Sequence, residues 1–178
     1  MKNDSLKRTV NAALFAALTF VATFVITLPT PTMGFVHLGD AFVLLSGIML
    51  GPLWGGLAAG IGSMLADLVL GYTISAVPTL FIKFLTAFTA YYVVKYAKNA
   101  PLLKRFLLCL LSESTMVTGY FIYHMLKSLI LNMNFSPEGF HVALVYSVTG
   151  FPGDLLQAVA GAFCAALLLP LINRLSKQ

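Results

Sequence analysis

Long apolar runs separated by short clusters of proline, glycine, asparagine and charge divide the chain into six segments, at about 10–28, 38–54, 55–71, 75–95, 105–131 and 148–172. Most of them approach the ~20 residues that a helix needs to cross a bilayer. The breakers are Pro29 and Pro31, Gly51-Pro52, Gly71-Tyr72, Asn99-Ala100-Pro101, and the stretch Asn132 to Gly139. Dividing 38–71 into two helices rests on Gly51-Pro52 and Gly55-Gly56, and it demands a very short connection. The pattern predicts an all-α integral membrane protein in which residues 1–178 form one six-helix transmembrane domain.

Composition agrees. Of the 178 residues, 59% are hydrophobic and 10% charged, and mean hydropathy is +0.91. A soluble domain carries roughly 25% charged residues. The length leaves no room for a separate soluble domain, and no nucleotide-binding P-loop, metal-ligand cluster or Gly-x-Ser-x-Gly elbow occurs. Cys109 and Cys164 lie in apolar runs and read as small core hydrophobes rather than a disulfide. No cofactor or metal is expected.

The net charge of +5 is distributed as topology signals rather than as a nucleic-acid-binding stripe. Lys2, Lys7, Arg8, Arg174 and Lys177 sit at the ends, and Lys95, Lys98, Lys104 and Arg105 in one connection. The connections Thr30–Val36, Gly71–Ile74 and Asn132–Ser147 contain no Lys or Arg. Six spans place both basic ends and the basic connection on one side, which the positive-inside bias makes cytoplasmic. The first run is longer than a signal-peptide core and lacks a cleavage site of the A-x-A kind, so it is expected to be retained.

Asp40, Asp67, Lys83, Glu113, Lys127 and Asp154 remain inside the apolar segments. One such charge at a helix centre costs about 2.5–3.5 kcal/mol, so each must face the bundle interior, a cavity or the interface. Helical spacing gathers Gly56, Gly60, Ser63 and Asp67 on one face. It does the same for Glu113, Tyr120, His124 and Lys127 (with Tyr123 beside them), and for Gly150, Asp154, Gln157 and Gly161. Thr79 and Lys83 form an i, i+4 pair. Apart from Glu113, about 12 Å from Arg105 along its helix, these charges belong to the outer half. Four helices thus offer polar faces there, as a small-molecule pocket open to the outside requires. The alternative is that these groups pair with one another and glue helices together, with Lys127 and His37 snorkelling to the interface. The outer set sums to −1 (three Asp, two Lys), which favours a neutral or weakly basic ring compound over a phosphorylated one. Asp40 opens the second span, too early for a buried core charge. It can cap the helix, anchor the loop or shape the rim, or touch the ligand.

In the first span, Ala12 and Ala16, and Ala13 and Ala17, stand four apart. Such small-xxx-small faces admit a second helix, either from the same bundle or from another membrane protein.

With its six spans, alanine-rich first helix and the run TPTMGFVHLGDAFVLLSGIMLGPLWGGLAAGIGSMLADLVLGY, the chain resembles the substrate-binding S components of energy-coupling factor (ECF) vitamin transporters. It looks like the branch that includes transporters predicted for hydroxymethylpyrimidine and vitamin B6. The resemblance implies a multi-pass protein of the bacterial cytoplasmic membrane, not an enzyme, that binds a vitamin near the outer surface. It also implies association with a transmembrane T component and two cytoplasmic ATPases, with the alanine face of Ala12, Ala13, Ala16 and Ala17 as the T-component contact. The substrate-binding residues expected on this basis are Asp67, Lys83, Tyr120, Tyr123, His124, Asp154, Gln157, Asp40 and His37, with Thr30–Val36 and Asn132–Ser147 as lids. Two other readings compete. A stand-alone secondary transporter would couple protons through Glu113 and Asp67, though no inverted repeat is evident. An intramembrane enzyme would use Asp40, Asp67, Glu113 and His124, though His37, His124 and His141 lack tight ligand spacing.

Overall fold

A computed structural model describes residues 2–29, 35–97 and 99–175. In chain order these form α1 (Lys2–Val25), β1 (Thr27–Pro29), β2 (Phe35–His37), α2 (Asp40–Leu50), α3 (Pro52–Val69), α4 (Thr73–Val94), a 3-10 turn (Lys95–Ala97), α5 (Leu102–Asn132) and α6 (Pro137–Leu175). Residues 30–34, most of the first expected lid, lie outside the described residues.

Among the described residues, five helices are long and apolar enough to cross a membrane, and α2 is a shorter apolar helix. Helices dominate because a chain in lipid must satisfy its backbone polar groups internally. At 11 residues α2 is only about 16 Å long. It is enclosed instead of lipid-facing: Val43, Leu44, Leu45 and Ile48 are almost wholly buried, with Leu44, Leu45 and Ile48 joining Ala162, Ala165 and Leu169 of α6 in the main core. The chain reverses at Gly51, whose φ of 89° suits glycine, and Pro52 starts α3 with its ring pre-set for a first helical turn. The break thus falls at Gly51, three residues before the expected end of the second span.

Small residues set the helix spacing. A Cβ on Gly62 of α3 would strike the Ala16 carbonyl of α1, so these two helices pack backbone to backbone. Outward-facing Phe81, Leu85, Leu107, Leu111, Phe163 and Leu167 form an apolar exterior.

The largest departure from expectation is at α6. Asn132–Ser147 is not a long lid loop. α5 ends at Met133 in a left-handed turn (φ 48°), and α6 begins at Pro137. Ser136 caps it: its hydroxyl accepts the Gly139 N–H at 3.2 Å, and Pro137 occupies the first turn where no N–H is needed. α6 therefore runs for 39 residues, about 58 Å.

The C-terminal end of α1 meets β2 through Thr23 and His37, and β2 meets Gln157 near the middle of α6, with 18 further residues of that helix beyond it. α1 therefore begins, and α6 ends, at the end of the bundle opposite this junction. β1 and β2 pair antiparallel, Thr27 with His37 and Pro29 with Phe35, and form a small hairpin over that end.

Candidate ligand-binding site

A cleft with about 460 Å³ of empty space, its mouth included, opens at the hairpin end. It is lined by Phe35 and His37 of β2, Asp67 of α3, Tyr72, Ser75 and Thr79 at the start of α4, Tyr120, Tyr123 and His124 of α5, and Asp154 and Gln157 of α6. The helical spacings explain the convergence: Ser75 and Thr79 are one turn apart, as are Tyr120 and His124, and Asp154 and Gln157.

Two rings are locked by hydroxyl contacts from α4. The Tyr123 hydroxyl is 2.8 Å from Ser75 Oγ, and that of Tyr120 is 3.1 Å from Thr79 Oγ1. His124 lies nearly parallel to Tyr120, with centroids 6.1 Å apart and planes at 26°. On the opposite element Phe35 packs against Tyr72 at 4.9 Å. Flat faces thus come from α5 and from the hairpin, with hydrogen-bonding groups around them. Asp67 Oδ2 and His124 Nδ1 are buried and have no hydrogen-bond partner among the described residues. Buried polar atoms are nearly always paired, which makes these two cleft atoms unusual.

His37 is held in one state. Its Nδ1 accepts the Gly39 N–H at 3.0 Å and lies 3.3 Å from Thr23 Oγ1, which leaves Nε2 as the protonated nitrogen of a neutral ring. Burial, with Lys83 nearby, outweighs the attraction of Asp40 and lowers its pKa to about 4.

Seven of the nine expected site residues line the cleft: His37, Asp67, Tyr120, Tyr123, His124, Asp154 and Gln157. Asp40 and Lys83 do not. They form a fully enclosed ion pair behind the wall, with Lys83 Nζ 2.5 Å from Asp40 Oδ1. Asp40 is therefore a buried core charge despite its place at the start of α2. It is also not the helix cap, because Gly39 occupies the N-cap position without a side-chain bond. Phe35, Tyr72, Ser75 and Thr79 complete the lining; Ser75 and Thr79 continue the face of Lys83 at i−8 and i−4, a periodic signal that was legible. Glu113 lies deeper, wholly buried, with neither carboxylate oxygen paired among the described residues. Lys127 sits 5.8 Å from the centroid of the Tyr123 ring.

The alanines of α1 are divided between two roles. Ala12 and Ala16 pack against the main core, whereas Ala13 and Ala17 are exposed. All four line an open apolar groove between α1 and α3, together with Phe20, Trp54, Leu57 and Ile61.

A family model described as the ECF-type riboflavin transporter, S component, matches residues 3–176. The chain belongs to that family. It is thus a substrate-binding membrane subunit of a transporter and not an enzyme. A solved S component of a bacterial ECF transporter superimposes on it with a TM-score of 0.65 over 98% of this chain and 99% of that one. At 17% identity, that likeness establishes the shared S-component fold. An uncharacterized protein from the gap 3′ region of Pyrococcus woesei is 33% identical over 143 residues, which cover 79% of this S component and 84% of its relative.

Proposed function

We propose that this S component captures a small single-ring heterocycle, of the hydroxymethylpyrimidine or vitamin B6 class, from the outside. The observation that carries the reading is the cleft itself: flat aromatic faces held in place, and two buried polar atoms, Asp67 Oδ2 and His124 Nδ1, without partners among the described residues. One ring stacks between Tyr120 or Tyr123 and the hairpin, while Asp67, His124, Asp154 and Gln157 read its edges. Among the described residues no Lys or Arg lines the cleft, and the carboxyl groups there are Asp67 and Asp154, which argues against a phosphorylated ligand. Basic residues at both ends and at 95–105 support cytoplasmic termini, and the cleft then opens outward.

Riboflavin is the second reading, favoured by the description of the family whose model matches. Calorimetry on detergent-purified protein with hydroxymethylpyrimidine, pyridoxine and riboflavin separates the two. Tight binding of a single-ring compound is the expected result. Tight riboflavin binding alone transfers the assignment to the flavin, and no binding of any of the three removes the pocket assignment.

The same reading has the groove between α1 and α3 receive a transmembrane T component, which works with two cytoplasmic ATPases. The exposed Ala13 and Ala17 let a partner helix approach closely there. Copurification of an ATPase pair with the tagged S component from its own membranes is the expected outcome, and repeated purification of the S component alone speaks against the partnership.

A further inference from the structure

Five elements meet around Asp40. Its Oδ1 accepts from Lys83 Nζ of α4 at 2.5 Å, and its Oδ2 accepts from Gln157 Nε2 of α6 at 2.7 Å. Gln157 Oε1 in turn accepts the main-chain N–H of His37 on β2 at 3.3 Å. His37 Nδ1 accepts the Gly39 N–H and lies against Thr23 of α1. The knot has no slack: a Cβ on Gly161 of α6 would stand 2.7 Å from the Asp40 Cβ, and one on Gly39 would run into the Thr23 hydroxyl.

This arrangement removes a choice. A glutamine amide has two orientations that differ by exchange of oxygen and nitrogen. Ionised Asp40 only accepts, so it demands the Gln157 nitrogen, and the His37 N–H only donates, so it demands the oxygen. Both demands agree on one orientation. The hairpin carrying His37 has only three residues in each strand, and a two-stranded hairpin is marginal without outside support. Yet Phe35 and His37 form one wall of the cleft.

We propose that Asp40 and Lys83 are positioning residues for the ligand cleft: Asp40, itself held by Lys83, orients the Gln157 amide so that it pins β2 in place as a wall. Gln157 then shows the cleft its second N–H and a remaining oxygen lone pair in a fixed order, so Asp40 acts on ligand choice from one hydrogen bond away. A buried ion pair adds little stability over a packed apolar pair, so a role in fixing one arrangement accounts for its presence. The inference rests on the cleft being the ligand site.

The test uses the full chain in detergent or nanodiscs with four variants: Gln157→Met, Asp40→Asn, Gln157→Glu and the double exchange Asp40→Asn/Gln157→Glu. Gln157→Met deletes both amide bonds and leaves the ion pair intact, so it remains informative if a charge variant fails to fold. The double exchange swaps amide and carboxylate across the same contact and keeps one negative charge beside Lys83. Three readouts are taken: hydrogen exchange of the Phe35–Gly39 segment without ligand, binding of hydroxymethylpyrimidine, pyridoxine and riboflavin, and melting temperature. Each single variant is expected to speed exchange in that segment at least tenfold and to weaken binding at least tenfold, and the double exchange to recover most of both. The proposal is overturned if Gln157→Met leaves exchange and affinity within twofold of wild type, or if the double exchange does no better than the singles while folded. Should the wild type bind none of the three compounds, the ligand reading fails, and the exchange measurements still decide whether Asp40 and Gln157 anchor the wall.

Discussion

The Lys83 ammonium lies 2.5 Å from the Asp40 carboxylate, with both side chains completely enclosed and the two residues on different helices. Neither charge has water to fall back on, so each depends on the other. Removing one partner from such a pair costs about 3–5 kcal/mol, because the survivor is left charged in an apolar medium. Asp40→Ala and Lys83→Ala are each expected to destabilise by that order, whereas Asp40→Ala/Lys83→Ala should cost clearly less than their sum. Thermal unfolding in one detergent measures the cycle, and additive losses would show that the pair is not coupled.

Asp67 behaves differently. It lines the cleft, and its Oδ2 has no partner among the described residues. A hydrogen bond to a charged group contributes about 1.5–3 kcal/mol, which is tenfold or more in affinity. Asp67→Asn is therefore expected to weaken ligand binding at least tenfold while shifting the melting temperature little. Calorimetry beside a melting curve checks both halves, and an unchanged affinity would remove Asp67 from the contact set.

How far these sites were legible follows from where their determinants lie. The helices were readable because lipid forces long apolar runs, and the inward faces of α3, α5 and α6 because helical spacing is local. Six cleft residues, Asp67, Tyr120, Tyr123, His124, Asp154 and Gln157, came from that periodicity. The start of α6 was hidden because Glu138 and His141 lower its hydropathy, although Ser136-Pro137 is a recognisable helix start. Phe35 and Tyr72 reach the cleft from connections, whose placement depends on the folded bundle. The burial of Asp40 depends on Lys83 and Gln157, 43 and 117 positions away, and no local pattern reports a contact at that distance.

His37 makes stability sensitive to acid. Its folded pKa of about 4 lies below the ordinary histidine value of 6.5, so the unfolded chain binds the proton more readily. Its contribution is complete above pH 6.5, declines as pH falls toward 4, and amounts to about 3 kcal/mol across that window. His37→Asn keeps an acceptor for the Gly39 N–H and cannot titrate. The melting temperature of wild type should drop more steeply between pH 7 and pH 4.5 than that of His37→Asn, and parallel curves would count against the assignment.

The groove between α1 and α3 calls for a choice of alanine. Ala16 touches α3 where Gly62 leaves no room, so enlarging it would disturb the bundle and confuse partner loss with misfolding. Ala17 is exposed and lines the same groove, at the end of the small-residue face. A leucine there fills the space a partner helix would enter while leaving the α1–α3 contact untouched. Ala17→Leu is expected to reduce copurification of the T component and ATPases at least tenfold, and to change ligand affinity less than twofold. Loss of both properties would mean that the substitution reaches the cleft through the bundle. Loss of neither would mean that the partner docks on a different face.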